Sequence, residues 1–113
     1  DISFLNEIKT LQELDVSYGA ILPSQLTQIA SCQNITNLNV SCNRLEDTNV
    51  KLLLPMKTLI RLNLSFNQNI THVGVNYIAE LPSLCSVNVF LTGVNNVSKL
   101  SPTLEYCCVE NGK

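Results

Sequence analysis

Apolar residues recur along this chain in two alternating patterns. The first is a nonapeptide with apolar residues at its first, fourth and sixth places, seen as LQELDVSYG from Leu11, ITNLNVSCN from Ile35, LIRLNLSFN from Leu59 and LCSVNVFLT from Leu84. A fifth copy, LEYCCVENG, starts at Leu104. The fourth and sixth places alternate as a short strand with one buried face requires. They assign Leu14 and Val16, Leu38 and Val40, Leu62 and Leu64, Val87 and Val89, and Cys107 and Val109 to the core. The second pattern follows each nonapeptide. Its apolar residues stand three apart: Leu26, Ile29 and Cys32, then Val50, Leu53 and Met56, then Val75, Ile78 and Leu81, with Val97 and Leu100 in a shortened unit. A spacing of three predicts a short helical or 3₁₀ segment that presses one face onto the strand. Ile2, Leu5 and Ile8 form another such triplet ahead of the first nonapeptide, so the chain is expected to begin inside the return segment of an earlier unit.

The nonapeptides start near positions 11, 35, 59, 84 and 104. The resulting periods lie inside the roughly 20 to 29 residues of leucine-rich repeats, and the chain resembles that family throughout its length. The resemblance implies an α/β leucine-rich-repeat solenoid, a right-handed superhelix with a parallel sheet on its concave face and short helices on its convex face. It also implies that the ninth place carries an asparagine whose side chain satisfies backbone groups of the neighbouring coil. Asn43 and Asn67 match; Gly19 and Thr92 do not, and the asparagine ladder is expected to weaken in those two units. The run from Asn69 to Val75 followed by Ile78 to Leu84 resembles units of the helical subclasses, which include ribonuclease-inhibitor-like and F-box-associated repeats. The 113 residues are expected to form a single domain. Because a solenoid buries its apolar edges only against neighbours, and no polar-faced cap is recognisable at either end, that domain is expected to be a fragment of a longer solenoid.

Composition narrows the chemistry. Only 14% of the residues are charged and the formal net charge is −2, so there is no sequence-wide pull toward phosphates, and nucleic acid is not the expected partner. No run approaches the roughly 20 apolar residues of a membrane span. Five cysteines follow neither CxxC nor any zinc-ligand spacing, and neither metal nor cofactor is expected. Free thiols in a reducing compartment are the simplest state, with one disulfide between non-neighbours left open. His72, the one histidine, is placed in a loop between a strand and a return helix. It supplies no triad, and nothing in the repeat brings it to Cys85, so no catalytic residue is assigned. Glycines occur singly and cradle no phosphate. Glu46 and Asp47, adjacent on a turn, read as solvated acids.

Five tripeptides, beginning at Asn34, Asn39, Asn63, Asn69 and Asn96, match the N-glycosylation acceptor pattern. Asn39 and Asn63 belong to it because the repeat itself favours asparagine, an apolar residue and serine in succession. An intracellular location is therefore expected over an extracellular one.

Stacked strands present outward residues in columns. The fifth place reads Asp15, Asn39, Asn63, Asn88 and Cys108, the seventh Ser17, Ser41, Ser65, Phe90 and Glu110, and the eighth Tyr18, Cys42, Phe66, Leu91 and Asn111. Aromatic anchors in an exposed row mark binding surfaces. The expected function is thus a protein-interaction module whose concave face holds a protein partner through Tyr18, Phe66, Phe90 and Leu91, with Asn39, Asn63 and Asn88 hydrogen bonding beside them. The simpler account of the eighth place is that its rings lean over the strand edge and pack on their own repeat. Two other roles fit the resemblance: the substrate-recognition segment of a ubiquitin-ligase adaptor, and a structural spacer. Association of copies end to end is a further expectation of exposed solenoid edges.

Overall fold

The computed structural model describes residues 11–95 and 100–107. Strands and helices alternate as β1 (Glu13–Asp15), α1 (Pro23–Ala30), β2 (Asn37–Asn39), α2 (Asp47–Val50), β3 (Arg61–Asn63), α3 (His72–Ile78), β4 (Ser86–Asn88) and β5 (Glu105–Cys107), with α2 continuing into a 3₁₀ turn at Lys51–Leu53. The five strands form one parallel sheet in chain order. This alternation of parallel strands with short return helices is the α/β solenoid the periodicity predicts.

Register follows the repeat. Glu13 stands opposite Asn37, Asn37 opposite Arg61, and Arg61 opposite Ser86, steps of 24, 24 and 25 residues. Backbone pairing continues past the strand ends. The N–H groups of Val16, Val40 and Leu64 donate to the carbonyls of Asn39, Asn63 and Asn88 at 2.9–3.0 Å, and those of Tyr18, Cys42 and Phe66 donate to Ser41, Ser65 and Phe90 at 2.9–3.1 Å.

The last strand corrects the sequence reading. Ser86 pairs with Glu105 and Val87 with Tyr106, a step of 19 residues, so Tyr106 and not Cys107 occupies the core column of Leu38 and Leu62. The physical reason is that Tyr106 packs its ring against the core while its hydroxyl donates to the carbonyl of Ser101 at 2.7 Å, which satisfies the polar end of an otherwise apolar body. Burial raises its phenol pKa. Cys107 thereby joins the column of Asn88. Ile2, Leu5, Ile8, Val97, Val109 and Cys108 lie outside the described residues.

The core lies between the sheet and the return segments. Leu38, Val40, Leu62, Leu64, Val87 and Val89 meet Leu26, Ile29, Val50, Leu53, Met56, Val75, Ile78 and Leu81, all buried. Cys32 is half-buried against them, and desolvation raises its thiol pKa. Helix starts are built from local chemistry. Pro23 opens α1, where the Leu22 N–H donates to Gln25 Oε1 at 2.8 Å, and the Glu46 N–H donates likewise to Asn49 Oδ1 at 2.9 Å ahead of α2. Thr71 caps α3 by accepting from the Val73 N–H at 3.2 Å. His72 is the first residue of that helix, not a loop residue. Asp47 is not simply solvated either: its carboxylate accepts from the Thr71 N–H at 2.7 Å and the Thr71 hydroxyl at 2.6 Å, so it ties α2 to the start of α3.

Candidate functional site

The sheet face turned away from the helices encloses a hollow of about 550 Å³. One column along its floor is the fifth place, with Asp15, Asn39, Asn63 and Asn88 on successive strands. Each of these side chains closes a turn on its own chain. Its Oδ1 accepts the N–H two residues on, from Ser17 at 2.9 Å, Ser41 at 3.0 Å, Ser65 at 3.0 Å and Phe90 at 3.0 Å. Once the oxygen of an asparagine is held this way, its amide nitrogen is directed to the other side. At Asp15 the Ser17 hydroxyl and N–H hold the carboxyl below its usual range, with a smaller contribution from the Asn39 side chain.

A second floor column escapes the sequence reading. Glu13, Asn37, Arg61 and Ser86 occupy the third place and line the hollow beside the first column. The signal for them is in the sequence, because places three and five of a strand share a face. The apolar fourth place drew attention to the opposite face.

The seventh and eighth places also differ from expectation. Ser41 and Ser65 are buried, 5% exposed, and form no outward column. The backbone turns just after them: Tyr18, Cys42, Phe66 and Leu91 all adopt left-handed φ values of 53–59°. In the second and third coils Asn43 and Asn67 follow the turn inward and the serines before it are buried, whereas Phe90, ahead of the same turn at Leu91, stays exposed. Tyr18, Phe66, Phe90 and Leu91 consequently border the sheet beyond the strand ends and do not line the hollow. Phe66 and Phe90 meet edge to face, ring centroids 5.5 Å apart, while remaining 44% and 39% exposed. The expected row is therefore interrupted, since Cys42 separates the exposed Tyr18 from this pair.

The inward asparagines carry the structural part of the repeat. Asn67, fully buried, donates its amide hydrogens toward the carbonyls of Val40, Leu64 and Ser65, while its oxygen accepts from the N–H groups of Asn43 and Leu45. Asn43 repeats this arrangement one coil earlier, reaching Val16, Val40 and Ser41 and accepting from Ile21. Thr92 supplies a shorter version within its own turn, donating to Val89 at 2.8 Å and accepting from Val94 at 3.1 Å. A Leucine Rich repeat family model matches residues 31–54 and again 56–79, the two coils that these asparagines close. Residues 31–79 are therefore two leucine-rich repeats, set within the α/β solenoid described above. No curated protein matches it.

Leucine-rich repeats are in general protein-interaction modules and typically not enzymes. Among the described residues no group of three or more His, Cys, Asp and Glu side chains is placed to hold a metal ion, and no helix is long and apolar enough to cross a membrane. Cys32, Cys42 and Cys85 are free thiols. Cys85 lies exposed ahead of β4 and His72 at the start of α3.

Proposed function

We infer that this leucine-rich-repeat chain holds a protein partner on the concave face of its sheet, with Tyr18, Phe66, Phe90 and Leu91 as an apolar rim. The observation that supports this reading is the floor itself: polar and charged side chains from four successive strands converge on one open hollow. Asn39, Asn63 and Asn88 are held there by their own backbone, so their amides are oriented before any partner arrives. Fixed donors lose little freedom on binding, which favours affinity. At the rim, the Phe66 and Phe90 pair offers exposed aromatic area of limited rotamer freedom, the usual composition of an interface anchor.

The test is capture of a partner by cross-linking, followed by titration against three folded variants. Phe66→Ala is expected to weaken binding by about 2 kcal/mol or more, the size of a hot spot. Ser86→Trp fills the floor with an apolar ring and is expected to weaken it as well. Lys51→Ala lies on the helix side, where the ammonium sits 5.3 Å from the centre of the Tyr77 ring, and is expected to change binding by less than about 0.5 kcal/mol. A partner that loses affinity with Lys51→Ala but tolerates the other two places the interface on the convex side instead.

A further inference from the structure

We draw no further inference here: the strongest candidate, the apolar groove on the helix side where Thr27 and Ala30 of α1 face Leu52, Leu54 and Pro55 of the next coil, carries nothing because nothing in the structure shows what covers it.

Discussion

Four non-glycine residues at one place of the repeat hold left-handed backbone, and the strain has a measurable sign. A side chain in that region costs about 1–2 kcal/mol, yet Tyr18, Cys42, Phe66 and Leu91 all accept it. Phe66→Gly is therefore expected to be more stable than Phe66→Ala by about 1 kcal/mol in denaturant melts, the reverse of the usual order in a regular element. A more stable alanine variant would show that the turn is not strained. Asn67 is the opposite case, a residue whose side chain is entirely structural. Asn67→Ala removes the acceptor of the Asn43 and Leu45 N–H groups and the donor to the Leu64 carbonyl, and a loss of about 3 kcal/mol is expected. Ser17 gives a third residue-scale test. The Asp15 carboxyl titrates below its ordinary 3.8, chiefly through the Ser17 hydroxyl. A depressed carboxyl contributes stability above its unfolded value and loses it as pH falls through the folded one. Ser17→Ala should move the Asp15 midpoint upward in an NMR titration, and an unchanged midpoint would assign the shift to another group.

Between elements, the tightest fit is the seam of α2 with α3. Gly74 is buried in α3, and a Cβ built there runs into the Asp47 carboxylate and stands 3.0 Å from the Asp47 Cα. Alanine is the better helix former by about 1 kcal/mol. The clash is with a carboxylate fixed by two hydrogen bonds from Thr71 and with backbone, so the neighbour has little room to yield. Gly74→Ala is accordingly expected to destabilise by about 1–3 kcal/mol despite the propensity gain. Equal or higher stability in thermal melts would mean that α2 moves away freely. Gly93 is constrained by backbone alone: its N–H donates to Ile70 at 2.7 Å, and a Cβ would stand 2.8 Å from that same carbonyl oxygen.

Across the whole molecule the core is continuous because each coil leans on the next. Leu62, in the middle strand, is buried at 2% exposure with coils on both sides, whereas Leu14 in the first strand is only partly buried. Leu62→Ala is expected to cost about 2–5 kcal/mol and Leu14→Ala less, since a cavity open to solvent at one edge relaxes more easily. Equal losses in denaturant titrations would indicate that the coils do not share one core. The same stacking makes the hollow, which no single coil possesses: Glu13, Asn37, Arg61 and Ser86 are distant in the chain and adjacent only because the strands pair in register.

The order of elements was legible in the chain, because burial imposes period two on a strand and a spacing of three on a return turn, and both periods survive in the choice of leucine, isoleucine and valine. The structural asparagines Asn43 and Asn67 were legible through the family resemblance. Three things were decided only by tertiary structure. Tyr106, rather than Cys107, took the register position of Leu38 and Leu62 because strand pairing with β4 set it, and the tyrosine both packs against the core and satisfies its hydroxyl. Ser41 and Ser65 went inside whereas Phe90, at the same place and ahead of the same left-handed turn, stayed exposed, and a hydrophobic pattern does not mark which residue of such a turn is covered. The placing of Arg61 two strands from Glu13 and Asp15 depends on which residues of different coils stand opposite one another, a distance that exists only once the sheet has formed.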